Sequence, residues 1–219
     1  MMNKDNKVLI ITGGRTDDDF LSKLLEQEKF NMIIAADSGL VLADRLKVKL
    51  DYIVGDFDSV PEEVLSRYQK QSTPIETFPR EKDKTDTQIA LELALMHEPS
   101  CIMFAGATGS RMDHTIANIH LLLLPLQLSI DAFILDQNNK LYLKKESFII
   151  EKEKQFGDYV SLLPFGETVR GLTLKGFYYP LDHIILPAGS SLGISNEIVD
   201  ETGRVEFSEG ILLVMETRD

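Results

Sequence analysis

The sequence predicts two architectures in series: an α/β half with a mostly parallel sheet and helices on both faces, then an all-β sandwich. Three observations predict it. Before about residue 126, short β-rich runs alternate with amphipathic helical stretches, the pattern of a parallel sheet covered on both sides. After Pro125 the helical period disappears, and nine short strand-like runs follow with turn residues between them. Hydrophobic residues make up 43% of the 219, enough for a buried core in each half. The expected boundary divides 1–126 from 127–219.

The first-half strands are Val8–Thr12, Met32–Ala36, Tyr52–Val54, Ile75–Phe78 and Cys101–Ala105. Between them Phe20–Glu28, Leu40–Leu46, Glu62–Gln71 and Thr87–His97 carry apolar residues at helical spacing. A fifth helix is expected over 114–124, where Ile116, Ile119, Leu122 and Leu123 share a face. In the second half the strands are Asp131–Leu135, Leu141–Leu143, Phe148–Glu151, Tyr159–Leu163, Val169–Leu174, His183–Leu186, Ile194–Val199, Arg204–Phe207 and Ile211–Glu216. Asp131–Leu135 is open to completing the first sheet instead. Asn138-Asn139, Phe165-Gly166, Pro187-Ala188-Gly189 and Thr202-Gly203 mark turns.

Composition excludes several classes. Lys+Arg 23 against Asp+Glu 35 gives a net charge of −12, which repels phosphate backbones and argues against nucleic acid as a partner. One cysteine, Cys101, and four histidines exclude a disulfide framework and a cysteine zinc site. The longest apolar stretch, Leu121–Leu128, is interrupted by Pro125 and Gln127 and falls short of the ~20 residues that span a bilayer. A cytoplasmic protein without membrane contact is expected.

Chemistry concentrates after the strands of the first half. These exits carry Gly13-Gly14-Arg15, Asp37-Ser38-Gly39, Gly55-Asp56-Phe57-Asp58-Ser59, Lys82-Asp83-Lys84-Thr85-Asp86 and Gly106 through His114. An open α/β sheet binds ligands outside the carboxyl ends of its strands, so glycines, two arginines and at least five aspartates should meet on one rim. Singly, these residues also fit local roles. Ser59 with Glu62 and Thr85 with Gln88 read as capping boxes, and Asp86 and Asp113 favour a helix N-terminus. Asp56 and Asp58, two residues apart beside a glycine, repel each other unless a cation intervenes. Mg²⁺ takes carboxylates, water and substrate phosphates, which makes Asp56, Asp58 and Asp86 the metal candidates. The loop from Gly106 to Gly109 lacks the Gly-Lys-Ser/Thr of a Walker motif. Its N–H groups, with Arg111, still suit a phosphate.

In Ala36-Asp37-Ser38-Gly39, Gly55-Asp56-Phe57-Asp58-Ser59, Asp83-Lys84-Thr85-Asp86 and Arg111-Met112-Asp113-His114-Thr115-Ile116-Ala117-Asn118, the sequence resembles the thiamine pyrophosphokinase family. The resemblance continues through Gly157-Asp158-Tyr159-Val160-Ser161-Leu162-Leu163-Pro164, Tyr179-Pro180-Leu181 and Gly193-Ile194-Ser195-Asn196-Glu197. It implies a nucleotide- and Mg²⁺-binding α/β domain, a thiamine-binding β-sandwich and a homodimer. The implied reaction moves the pyrophosphoryl group of ATP to the hydroxyl of thiamine, yielding thiamine diphosphate and AMP. By position Asp56, Asp58 and Asp86 resemble the family's Mg²⁺ ligands. Asp37, Arg111 and Asp113 resemble its ATP-site residues, with Gly109 in the phosphate loop. Ser195 and Asn196 resemble its thiamine-binding segment, and their polar groups can match an aminopyrimidine edge. Asp83 and Asp113 are the two candidates for accepting the hydroxyl proton. The sequence departs from the family pattern at Ser110, which stands where a glycine is expected. It also lacks tryptophan, so an aromatic wall against thiamine falls to Phe177, Tyr178 or Tyr179.

Three rival readings are another Mg²⁺-dependent nucleotidyltransferase or pyrophosphohydrolase, a silent thiamine- or nucleotide-binding module, and an acidic dimeric scaffold. The first would release pyrophosphate or phosphate in place of AMP. The second has no need of Asp56, Asp58 and Asp86 together. The third explains neither the shared rim nor the second-half motifs.

Overall fold

Five β-rich runs of the first half and the run at Asp131 form one parallel sheet in the computed structural model, which describes residues 6–71, 73–77 and 83–219. The strands are β1 (Lys7–Ile11), β2 (Met32–Ala36), β3 (Tyr52–Gly55), β4 (Ile75–Thr77), β5 (Cys101–Ala105) and β6 (Asp131–Leu135), in spatial order β4-β3-β2-β1-β5-β6. Every adjacent pair is parallel, with Val8 beside Met32 and Ile102, and Cys101 beside Asp131. The six carboxyl ends therefore lie on one edge. Phe78 and Lys82, read above as a strand end and part of a loop, lie outside the described residues.

Helices α1 (Asp18–Gln27), α2 (Gly39–Arg45), α3 (Glu62–Lys70), α4 (Asp86–Met96), α5 (Met112–Leu121) and α6 (Leu123–Gln127) connect these strands. Leu9 and Ile11 of β1, Ala35 of β2 and Ile53 of β3 share one buried cluster with Leu21, Leu40, Val64 and Tyr68 of α1–α3. Alternation along a strand turns Val8 and Ile10 to the opposite face. There α4 buries Ala90, Leu91, Leu93 and Ala94 and packs on β1, β2 and β3. Burying a side chain such as Leu9 contributes about 1.5–3 kcal/mol, so β1, apolar on both faces, takes the centre. The expected continuous helix over 114–124 is instead two helices. Pro125 offers no N–H and crowds the carbonyl four residues back, and the Leu122 N–H turns to Ile119 O at 3.2 Å.

The chain forms two compact units divided between Gln137 and Asn138. That division lies beyond the expected 126/127 because β6 pairs with β5 and completes the first sheet.

The second unit is antiparallel throughout. It contains β7 (Asn139–Lys144), β8 (Phe148–Glu151), β9 (Tyr159–Pro164), β10 (Val169–Lys175), β11 (Leu181–Leu186), β12 (Thr202–Glu206) and β13 (Leu212–Thr217). Two sheets result, β7-β13-β9 and β11-β10-β12-β8. Leu162 and Val214 of one sheet and Leu172, Leu174 and Val205 of the other are all buried. Tyr142 of β7 meets Phe148 of β8 edge-on at 6.3 Å. The expected strand Ile194–Val199 does not form. Asn196 and Ile198 make only isolated bridges, to Val160 and Phe177, because Ser195 takes a left-handed φ of 54° that a ladder cannot accommodate.

Candidate active site

The exits of β1 and β5 are tied together by backbone. Gly14 N–H donates to Gly106 O at 2.7 Å, and Arg15 N–H donates to Thr108 O at 2.8 Å. Side chains complete the frame: the Thr12 hydroxyl donates to Gly106 O, and Asn118 Nδ2 donates to Ala107 O at 2.8 Å. The Thr108 hydroxyl donates to Asp136 Oδ2 at 2.7 Å. The glycine loop is thus held from three sides before any ligand arrives, the preorganisation that anion recognition requires. Ser110, in place of the expected glycine, sits in this loop and lines the cavity beside it.

That cavity, of about 790 Å³, opens at the carboxyl ends of β1, β2, β5 and β6. Of the residues given catalytic, metal or ligand roles from sequence, Asp37, Asp86, Gly109 and Arg111 line it. Arg15 and Arg111 bring positive charge to the glycine-loop side, while Asp37 and Asp86 form an acidic side. The backbone of Asp37 (φ 47°) and of Phe57 (φ 61°) is left-handed without glycine. Such strain is sustained only where the surroundings fix it, as the burial of the Phe57 side chain does here.

Burial, foremost, holds the Asp37 carboxyl above its ordinary range, and the charges of Asp86 and Asp56 add to that rise, against hydrogen bonds from Ser38. Its Oδ1 is buried without a hydrogen-bond partner. The Asp86 and Asp56 carboxylates therefore both act against ionisation of Asp37, the electrostatic condition that a bound cation relieves. Ionising Asp37 opposes folding, a penalty absent below the ordinary carboxylate range and growing as pH rises through the folded value. Asp37→Asn should consequently melt above the parent protein at neutral pH, with the difference closing near about pH 3. Thermal melts at the two pH values check this, and a variant melting lower at neutral pH would contradict it.

Asp56, Asp58, Asp83 and Asp113 do not line the cavity. Among the described residues no three carboxylate, imidazole or thiol groups converge as a ready-made metal site. Asp56 Oδ1 accepts the N–H of Asp58 at 3.2 Å, closing a local turn. Asp113 pairs with Arg111, whose Nη2 and Nε lie 2.7 and 3.3 Å from its two oxygens. The Arg111 contact, and then the His114 N–H, hold the Asp113 carboxyl below its ordinary range, which makes it a weaker proton acceptor. Of the two capping boxes only Thr85 caps, accepting from Gln88 N–H at 3.2 Å. Helix α3 begins after Pro61 with no side-chain cap, so Ser59 is left to face the cavity.

In the second unit Asn196 is 4% exposed and its amide is occupied by the chain. Oδ1 accepts the N–H groups of Tyr179 and Glu197 at 3.0 and 2.9 Å, and Nδ2 donates to Tyr179 O at 2.8 Å. Ser195 N–H donates to the Ser161 hydroxyl oxygen at 3.0 Å. Phe177 is 4% exposed, whereas Tyr178 and Tyr179 are 62% and 61% exposed and meet edge-on at 4.9 Å. Of the three aromatics, only these two present rings.

Sequence reasoning missed Thr12, Asp136 and Gln137 and gave Asn118 only as part of a motif, without a role; all four are on the cavity wall. Asp136 and Gln137 follow β6, so the carboxyl-end rule would have found them once that strand was assigned to the first sheet.

Residues 21–134 match the family Thiamin pyrophosphokinase, catalytic domain, and residues 147–212 match its vitamin B1 binding domain. The chain belongs to the thiamine pyrophosphokinase family. It is 37% identical over 166 residues to the thiamine pyrophosphokinase of Bacillus subtilis, covering 75% of this chain and 77% of that protein. The crystal structure of thiamine pyrophosphokinase from Bacillus subtilis superposes with a TM-score of 0.88 at 32% identity, over 98% of this chain and 100% of that one. The thiamin pyrophosphokinase of Geobacillus thermodenitrificans gives 0.84 at 33% identity, over 97% and 98%. The two matched segments fall on either side of the division at Gln137, so each unit carries one thiamine pyrophosphokinase domain.

Proposed function

We propose that the protein transfers the pyrophosphoryl group of ATP to the hydroxyl of thiamine, giving thiamine diphosphate and AMP. The cavity at the carboxyl ends of β1, β2, β5 and β6 receives the polyphosphate. One observation carries this reading: a braced glycine loop with Arg15 and Arg111 faces an acidic end made by Asp37 and Asp86. Phosphates alone would be repelled by that end, and a divalent cation between them reverses the sign. Asp86 and Asp56, whose charges act on Asp37, would hold Mg²⁺ together with phosphate oxygens and water, with Asp58 on the same loop. Bound there, Mg²⁺ supplies charge neutralisation for the transferring group. The chain does the rest by placement. N–H groups of the glycine loop and the Arg111 guanidinium align the phosphates. The thiamine hydroxyl oxygen bonds to the β-phosphorus as the bond from that phosphorus to the bridging oxygen breaks. The electron pair leaves with AMP, and the hydroxyl proton passes to a nearby base.

The second unit is proposed to hold thiamine at the segment Ser195–Asn196 and the rings of Tyr178 and Tyr179, supported by the match of residues 147–212 to a vitamin B1 binding domain. In this reading Asn196 positions the Tyr179 peptide. Asn196→Ala is expected to raise KM for thiamine roughly tenfold, because a misplaced binding group costs affinity steeply, with KM for ATP nearly unchanged. Equal changes in both constants would mean a general loss of structure. A homodimer is proposed too, supported by exposed Tyr178, Tyr179, Ile185 and Leu192 on the second unit. Light scattering tests it. A cytoplasmic location completes the reading, and among the described residues no helix is long and apolar enough to cross a membrane.

The deciding experiment incubates the protein with ATP, Mg²⁺ and thiamine and quantifies AMP and thiamine diphosphate. Equal, thiamine-dependent amounts are expected. Nucleotide breakdown that ignores thiamine would instead indicate a hydrolase.

A further inference from the structure

Two side chains on the cavity wall carry an oxygen that is buried and lacks a hydrogen-bond partner: Asp37 at the exit of β2 and Gln137 just past β6. An acceptor in that condition is costly and gains most from a donor supplied by a ligand. Asp37 belongs to the acidic end treated above. Gln137 does not. Its strand stands three places from β2 in the order β2-β1-β5-β6, roughly 14 Å away at ordinary strand spacing. The glycine loop, at the β5 exit and tied to the β1 exit, occupies the interval. A nucleotide with its phosphates between the acidic end and that loop thus directs its nucleoside to the β6 end. The wall there is built and firm. Asp136 is 5% exposed and holds the Thr108 hydroxyl at 2.7 Å.

We infer that Gln137 reads the base of the nucleotide, its amide oxygen accepting the exocyclic amino group of adenine. This rests on the pyrophosphoryl-transfer reading of the same cavity. With the amide oriented as in the structure, a purine with a keto oxygen at that position sets acceptor against acceptor and leaves the Gln137 oxygen unpaired, the situation in which hydrogen-bonding sites discriminate most strongly. Gln137 follows β6, three strands from the acidic end at β2, so its task is selection and not turnover.

The test compares ATP, ITP and 2′-deoxyATP in kcat/KM with thiamine, and in calorimetric binding without it, for the parent protein, Gln137→Leu and Gln137→Glu. The parent should prefer ATP to ITP by about tenfold or more. Gln137→Leu, with no acceptor, should bring that ratio to within about threefold of unity while kcat with ATP and KM for thiamine change little. Gln137→Glu, which keeps an acceptor, should retain the preference. An unchanged ATP/ITP ratio in Gln137→Leu overturns the assignment, as does a parent that does not discriminate. A change confined to the 2′-deoxyATP ratio also overturns it, by moving the contact to the ribose. Absence of thiamine diphosphate would sink the functional reading alone, because the binding ratios still decide the role of Gln137.

Discussion

Asp86→Asn should lower kcat by about 10²–10³-fold, the loss typical of removing one group that stabilises transition-state charge, and leave the protein folded. The fold survives for local reasons. Asp86 is the first residue of α4, and the cap belongs to its neighbour, since the Thr85 hydroxyl oxygen accepts the Gln88 N–H. The helix is anchored by Ala90, Leu91, Leu93 and Ala94, all distant from the substitution. What the variant forfeits structurally is a negative charge in a first helical turn, worth about 0.3–1 kcal/mol. In a chain of this size that lowers Tm by only a few degrees, at ~2–4 °C per kcal/mol. Function loses more, because Asp86 lines the cavity and its charge reaches Asp37. A second readout separates metal binding from other roles: Mg²⁺ should raise the Tm of the parent protein and not that of Asp86→Asn. Near-parent turnover, or an undiminished Mg²⁺ response, would remove Asp86 from the proposed cation-holding set.

Gly14→Ala should be among the damaging single-methyl changes in the first unit, with Gly39 and Gly106 similarly crowded by backbone. A Cβ at Gly14 would lie 2.2 Å from Gly106 O and 2.2 Å from Thr108 O. Both obstacles are backbone, so no side-chain rotation relieves them. Those two carbonyls also accept the N–H groups of Gly14 and Arg15, and moving them away breaks the ties that brace the glycine loop. Overpacking typically costs about 1–3 kcal/mol, and the added loss of hydrogen bonds places Gly14→Ala at the upper end, about 6–12 °C in Tm. KM for ATP should rise with it. By contrast Gly166→Ala meets open space, although its φ of 85° adds some strain, and it should leave KM for ATP untouched. If Gly14→Ala melted like the parent, the packing of the β1 and β5 exits described here would be wrong.

Periodicity made most of the first sheet legible. Val8–Ile11, Met32–Ala36 and Cys101–Ala105 are short, continuous apolar runs alternating with amphipathic helices, and their length and that alternation fit strands of a parallel sheet covered on both faces. Parallel strands put every exit on one edge, and that rule places Asp37, Asp56, Asp58, Asp83, Asp86, Gly109, Arg111 and Asp113 on a common rim; Asp37, Asp86, Gly109 and Arg111 line the cavity there, and the other four do not. The motif resemblance then named the family that both matched segments support.

Other features depended on where distant residues meet. The pair Asp136-Gln137 carries no signal of its own until β6 pairs with β5 and turns both residues onto the cavity wall. Asn196 reads as a free amide, yet the left-handed backbone at Ser195 and the approach of Tyr179, 17 residues earlier, occupy its oxygen and one donor. Ser59 reads as a helix cap and loses that role to the placement of Pro61. The division has a physical basis. Local pattern decides which segments bury apolar surface, because that depends on residues a few positions apart and on side-chain transfer free energy. Which polar atoms stay unpaired, which pair with backbone, and which meet across strands is decided by register and loop conformation. Those are properties of the assembled chain that no short window contains.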